Sequence, residues 1–440
     1  MSGANSPALK RELGVFGAVM LGMGAIVGTG VFVSIGIGAG ITGPSVTLAI
    51  AIAAFVATCN AFSSAQLAAA HPVAGGTYEY GYTYLNPKFG VTAGWMFLCA
   101  KSASAATAAL GFSGYLRHTF GTDESLYIPI AVGTSVLMTL IVLAGLRRSN
   151  AVNTIIVSVT LLALGAFVVC GLPTALANTP ENLQPFWSVD GETGPVRSFL
   201  YATALMFVAY TGYGRIATMG EEVHEPRRTI PRAIVVTLVG SSLLYMAVGF
   251  VMIGVTPRDS LAELGSAKIA PLESLAGTFD LPAVRWLVAI GAMTAMLGVL
   301  LNLILGLSRV LLAMGRRGDM PKATANLNAA GTTPMIAVIV IGVIVTGLAC
   351  IGSVKATWSF SAFTVLVYYA ITNLAALQLK PEDRIYPRWC SWAGMASCAF
   401  LACWVEWQTC LVGVGLIVVG LAWHKIAKSL RSDGDGVADS

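Results

Sequence analysis

Long apolar runs separated by short polar connectors dominate the chain. From Leu13 to Ala70 no side chain carries a charge, a run of 58 residues. That is enough for two membrane-crossing helices of about 20 residues each. Continued along the chain, the pattern predicts about twelve spans, at 14–40, 44–68, 89–116, 126–146, 151–173, 197–218, 232–255, 283–310, 333–353, 357–378, 389–405 and 407–424. A transmembrane β-barrel would show short alternating segments instead. The predicted fold class is an all-α polytopic membrane protein.

The first span contains GAIVGTGVF (24–32), with glycines at 24, 28 and 30. Each glycine costs a helix about 1 kcal/mol relative to alanine. Broken backbone at membrane depth is tolerated only where it is buried in protein or lines a water-filled cavity. Two readings fit. The bare N–H and C=O groups of a broken helix can meet a small polar ligand, or the glycines can let a neighbouring helix approach closely. The sixth span, FVAYTGYG (207–214), is interrupted by Gly212 and Gly214. Interruptions at matching positions of two five-span halves point to an inverted repeat. The halves would be 13–173 and 197–378, with two peripheral helices at 389–424 and flanking segments at 1–12 and 425–440.

Composition agrees. The chain is 56% hydrophobic and 11% charged, with a mean hydropathy of +0.76, where a soluble domain carries about 25% charged residues. With the N-terminus in the cytoplasm, 19 Lys and Arg fall on the cytoplasmic side, 6 on the outer side, and Lys101 remains inside a span. This asymmetry predicts cytoplasmic N- and C-termini in the cell membrane. It also makes the net charge of +5 a topology signal rather than a sign of nucleic-acid binding. The first apolar run is too long for a cleavable signal peptide. The polar stretch after Leu430 reads as disordered. The longest outer loops are 174–196 and 256–282; the second has room for a short surface helix and carries no functional signal.

The chemistry-bearing residues exclude several classes. The eight cysteines show no paired spacing, so neither a disulfide framework nor a zinc site is expected. The four histidines, at 71, 118, 224 and 424, are scattered and build no catalytic cluster. No Walker motif appears. A channel would need rings of charge or carbonyls along a polar pore, and the spans are nearly free of ionisable groups. No cofactor is expected; the partners are a small solute and the lipid bilayer.

Four stretches then coincide in order: GAIVGTGVF (24–32), SSAQLAAAHPVAGGTYEY (63–80), GEEVHEPRRTIPRAI (220–234) and SRVLLAMGRRGDMP (308–321). Together they resemble the amino acid–polyamine–organocation (APC) superfamily of amino acid permeases, in its cationic-amino-acid-transporter-like bacterial branch. The resemblance covers roughly residues 10–380. It implies a LeuT-type fold with a 5+5 inverted repeat, and secondary transport of an L-amino acid by alternating access. In such a site the substrate carboxylate meets the amides of Gly28, Thr29 and Gly30. Its ammonium meets carbonyls at Ala25, Ile26, Val208 and Thr211. Phe207, Val208, Tyr210 and third-span residues from Lys101 to Ala105 would line the side-chain pocket. Helix-terminal dipoles suit these roles, since a half-helix carries about +0.5 charge at its N-terminus and the opposite at its C-terminus. Helix packing accounts equally well for Phe207 and Tyr210.

Departures from the family pattern matter for coupling. Some proton-coupled members carry a lysine midway along the fifth helix; here Thr160 stands there, with Ser158 nearby. The coupling ion, H+ or Na+, therefore stays open, as does uncoupled exchange. An ionisable residue inside the bilayer is a functional candidate by default. Lys101 either replaces the missing lysine, contacts substrate, or snorkels. As a pocket cation it would favour neutral or acidic amino acids, and a neutral substrate is the leading expectation. Glu221 and Glu222 can pair with Arg215, with Arg227 or Arg228, or with Arg316 and Arg317 as an inner gate, or can belong to a solvated loop. A polyamine or a cationic amino acid is the runner-up substrate. It would call for pocket carboxylates, which the first, third, sixth and eighth spans lack.

Overall fold

The computed structural model describes residues 13–72, 75–145, 150–187, 194–217, 223–257, 260–264, 270–328 and 333–435. The regular elements among them are all helical. The chain enters α1 (Val15–Ile26), stops as a helix at Val27 and Gly28, and resumes through a π-helical turn at Gly30–Ser34 into α2 (Ile35–Thr42). Next come α3 (Val46–Ala70), the short α4 (Thr77–Tyr84) and the long α5 (Pro87–Phe120). These are followed by α6 (Tyr127–Leu143) and α7 (Asn150–Asn182). Helix α8 (Pro195–Tyr210) tightens into a 3-10 turn at Thr211–Tyr213 and ends as the single turn α9 (Gly214–Ala217). The chain continues through α10 (Pro226–Val255), two short helices, α11 (Leu261–Leu264) and α12 (Pro271–Ala276), and α13 (Pro282–Arg317). It closes with α14 (Met335–Ala349), α15 (Val354–Leu377), α16 (Arg388–Ala402) and α17 (Trp407–Asp435).

Local signals explain several boundaries. The Phe89 amide donates to the Asn86 side chain at 3.2 Å, and Pro87 takes the first helical position of α5, where its missing N–H costs nothing. Left-handed glycines, Gly121 and Gly318, end α5 and α13, as glycine does where a side chain would be strained. Two expected boundaries move. Helix α7 runs on to Asn182, through Pro173 and Pro180, into the expected loop 174–196. A proline removes one helical hydrogen bond, and neighbouring groups in a packed bundle re-satisfy the freed carbonyl. Helix α17 continues to Asp435, past the expected end of the last span, because AWHKIAKSL is rich in helix formers.

Helix α5 is the central post, packed on α13 and α15. Around it, α3 packs on α8 and α10, and α7 packs on α10 and α13. On α3, Ala49, Ala53, Ala57, Ala61 and Ala65 are fully buried at four-residue spacing. That stripe of small side chains lets neighbouring backbones come close, which is how apolar helices associate without a hydrophobic drive. The opposite situation holds on α6, α14 and α17, where Leu137, Leu140, Val343, Leu411 and Val418 are exposed. A contiguous apolar surface of this kind matches hydrocarbon rather than water. Seven helical stretches are long and apolar enough to cross a membrane among the described residues, the first running from Val15 through Ala70. The chain is thus an all-helical, multi-pass membrane protein.

Candidate functional site

The interruptions of α1 and α8 meet. A Cβ on Gly212 would collide with the carbonyl of Ala25, and one on Gly30 would stand 2.8 Å from the Ala209 methyl. Only bare backbone fits at these two approaches. Between them lies a cavity of about 720 Å³, lined by residues of both breaks and by α5, α13 and α15. The volume is within the usual range for a small-molecule site.

Tyrosines supply the missing partners of the broken helices. Tyr245 Oη donates to the Ile26 carbonyl at 2.7 Å, and Tyr369 Oη donates to the Thr211 carbonyl at 3.2 Å. Thr211 Oγ1 donates to the Val208 carbonyl at 2.7 Å. On the other side of the break the chain resumes as helix at Thr29, and the first amides of a resumed helix have no intrahelical acceptor. Among the described residues, the Thr29 hydroxyl, buried against the cavity, has no hydrogen-bond partner, and the same holds for the Asn302 side-chain nitrogen. Lys101, nine-tenths buried on α5, donates from Nζ to Thr211 Oγ1 at 3.0 Å.

The two ends of the cavity differ. At one end it is bounded by Glu79, Arg309, Arg316 and Arg317. Arg317 reaches Glu79 at 2.5 Å and lies over the Tyr82 ring, 4.1 Å from its centroid. Beside it, buried Asp319 accepts from the hydroxyls of Tyr78 and Tyr82, at 2.7 and 2.5 Å, and stands 3.2 Å from His424 Nδ1. Burial and the bond to Asp319 push both α4 hydroxyls above the usual phenol range. Toward the opposite end, Tyr115 Oη ties α5 to the Phe32 carbonyl at 2.9 Å. Beyond it, fully buried Glu273 of α12 accepts from Thr119 Oγ1 at 2.8 Å and from Arg285 Nε at 3.2 Å. His118 Nδ1 lies 3.2 Å from the same carboxylate.

Of the residues expected from sequence, Ala25, Ile26, Thr29, Gly30, Lys101, Val208, Thr211 and Arg215 line this one cavity. Three others stand off its wall. Gly28 packs on Val299. Phe207 is buried edge-on against Tyr369, with centroids 5.8 Å apart, and Tyr210 is stacked at a tilt on Tyr245 at 5.0 Å. Thr160 is buried, with its hydroxyl donating to the Ile156 carbonyl at 2.7 Å. Ser158 is exposed on the outside of α7. Neither lines the cavity. Glu221 and Glu222 lie outside the described residues. Of the arginines named as candidate partners, Arg227 pairs with Asp383, Arg228 with Glu225, and Arg317 with Glu79. Sequence reasoning missed Asn302, Tyr369 and Glu273. A lone asparagine in the eighth span and a glutamate in a loop helix were the available signals.

An apolar helical body around a solute-sized cavity fits the class of membrane transporters. Comparison with known proteins gives the family. The family model described as amino acid permease matches residues 17–438. An uncharacterised transporter of Mycobacterium tuberculosis is 37% identical over 96% of this chain and 92% of its own length. The branched-chain amino acid permease BcaP of Bacillus subtilis is 28% identical over 94% of this chain and 92% of its own. A vacuolar cationic amino acid transporter of Arabidopsis thaliana is 24% identical over 86% of this chain and 65% of its own. The chain belongs to the amino acid permease family of the APC superfamily.

Proposed function

We propose that the protein is a secondary transporter that carries an L-amino acid with a neutral or acidic side chain across the cell membrane by alternating access. Its twelve spans form two inverted five-helix repeats, 13–173 and 197–378, in a LeuT-type arrangement, with two peripheral helices and both termini in the cytoplasm. The substrate carboxylate sits at the resumed helix, near Thr29 and Gly30. Its ammonium sits toward the carbonyls of Ala25, Ile26 and Val208. The observation that carries this reading is the contact of two interrupted helices at one cavity. Main-chain dipoles of opposite sign face each other there, and a zwitterion matches both.

On this reading the cavity opens toward the cytoplasm, the side to which the arginine-rich loops assign Arg309, Arg316 and Arg317. The alternative of a polyamine or a cationic amino acid is disfavoured. Among the described lining residues five are basic and one, Glu79, is acidic, and Glu79 is paired with Arg317. The coupling ion is H+ or Na+. The test is uptake of the twenty radiolabelled amino acids and of spermidine into proteoliposomes, with a sodium gradient, with a proton gradient and with neither. Uptake of at least one amino acid, stimulated by one gradient or by amino acid loaded inside, is expected. Uptake of spermidine alone, or of nothing, overturns the reading.

A further inference from the structure

Lys101 is the feature of the cavity that a neutral zwitterion leaves unanswered. Its ammonium has three N–H donors. One goes to the Thr211 hydroxyl, and among the described residues it has no other hydrogen bond and no ion pair. Thr211 is a neutral partner, already committed as a donor to the Val208 carbonyl. A buried cation answered by a single hydroxyl is incompletely compensated, and the usual remedy is an opposing charge. The carboxylate common to all amino acids has its own place, at the amides of the resumed helix and the unpartnered hydroxyl of Thr29. Lys101, on α5, lines the same cavity and reaches the second break, at Thr211 beside Gly212.

On the amino-acid-transport reading above, we propose that the transported amino acid is acidic, and that Lys101 binds its side-chain carboxylate. The α-carboxylate caps the resumed helix at Thr29 and Gly30. The second carboxylate accepts from Lys101 Nζ, and the Asn302 side-chain nitrogen, which borders the same cavity and has no partner among the described residues, is a further donor. A basic side chain is repelled from this subsite. An uncharged one leaves the ammonium unanswered. A site built to bind a polar group discriminates strongly against an analogue that lacks it.

The test compares isosteres on the wild-type protein, purified in detergent. Thermal midpoints are titrated with L-aspartate, L-glutamate, their amides L-asparagine and L-glutamine, L-leucine and L-arginine. An acid is expected to half-saturate the shift at a concentration at least about tenfold below that of its amide, the scale of one charge-assisted hydrogen bond. In proteoliposomes, Lys101→Met is expected to narrow the acid-to-amide uptake ratio by about tenfold, while Lys101→Arg keeps the acid preferred. Stabilisation by a neutral or basic amino acid with none by the acids overturns the acidic substrate and leaves amino acid transport standing. So does an acid that binds no better than its amide, or a Lys101→Met protein with an unchanged ratio. Failure of every amino acid to stabilise the protein or to be taken up removes the transport reading as well. The wild-type titration decides the matter even if the variants do not fold.

Discussion

Helix α13 is held near both ends by the same pair of residue types, and the two clamps are built differently. Near its start Arg285 meets Glu273 from the short helix α12; at its last turn Arg317 meets Glu79 from the short helix α4. The two arginines stand about 48 Å apart along the helix axis. Glu273 is fully buried and shared by Arg285, Thr119 and His118. Glu79 is 17% exposed, and its arginine is 38% exposed. The two pairs differ in their acids, not in their arginines: Arg285 is 41% exposed and Arg317 38%, whereas Glu273 is fully buried and Glu79 is not. A buried carboxylate depends on its hydrogen bonds, and losing a partner of a charged group costs about 1.5–3 kcal/mol. A partly exposed pair is worth about 0–1 kcal/mol. The cavity walls reach the end with the weaker clamp. On the alternating-access proposal, freeing the end with the buried carboxylate is then the more costly step.

The sharpest way to break this comparison is Glu273→Ala. It leaves Arg285 without its carboxylate and the Thr119 hydroxyl without that acceptor. Because Arg285 is 41% exposed and stays solvated, a loss of about 1.5–3 kcal/mol is expected, read as a drop in the thermal midpoint of the purified protein. Glu273→Gln, which keeps an accepting oxygen, should fall between. The matching change at the other end, Glu79→Gln, should cost about 1 kcal/mol or less. Equal midpoints for Glu273→Ala and Glu79→Gln would mean that the two clamps are equivalent.

Between the ends lies the hinge of the comparison, where Gly212 touches the Ala25 carbonyl. Gly212→Ala forces the two interruptions apart and should cost about 1–3 kcal/mol of packing strain. Amino acid uptake should fall further than stability does, because the displaced groups line the cavity. Gly240→Ala is the control. Nothing lies within 4 Å of its added methyl, so a neutral or slightly stabilising change of up to about 1 kcal/mol is expected. Uptake by Gly212→Ala at the level of Gly240→Ala would show that contact between the breaks is not needed.

The parts legible in the sequence were those written in local backbone chemistry. Glycines at 28, 30 and 212 announced interruptions, and helices do stop or tighten at Val27 and at Thr211. Lys101 stood out as the lone charge in an apolar span, and it does line the cavity. What could not be read was set by helix rotation and by distant pairing. Phe207 and Tyr210 belong to the interrupted span, yet both rings turn to neighbouring tyrosines of α15 and α10. Glu273 looked like an ordinary loop carboxylate. Its burial comes from α5 and α13, whose contacting residues, Thr119 and Arg285, lie far from it or out of any recognisable spacing. The acid that meets Arg317, Glu79, is more than two hundred residues away in the chain.

A milder test sharpens the weaker end. Asp319 holds α4 against the last turn of α13 by accepting two tyrosine hydroxyls on one oxygen. Asp319→Asn keeps one acceptor and removes the charge that faces His424. A loss of about 1 kcal/mol is expected, the worth of one hydrogen bond, with Tyr82→Phe costing about the same. The double variant should then lose less than the sum, since both changes remove the same bond. Full additivity would show that Asp319 does not hold α4 through Tyr82.

The smallest expected effect concerns the fifth span, where Thr160 and Ser158 were the sequence candidates for ion coupling. Ser158 is exposed on α7, away from both clamps and from the cavity. Ser158→Ala should change stability by no more than about 0.5 kcal/mol, as surface substitutions do. Uptake in sodium and proton gradients should match the wild type. Thr160 is buried with its hydroxyl turned back onto the Ile156 carbonyl, a local bond that helix residues of this type commonly make, so Thr160→Val should also leave the ion response in place. Loss of the response in either variant would place ion coupling on α7, where the hydroxyl of Thr160 is bonded back to its own helix and that of Ser158 lies outside the cavity lining.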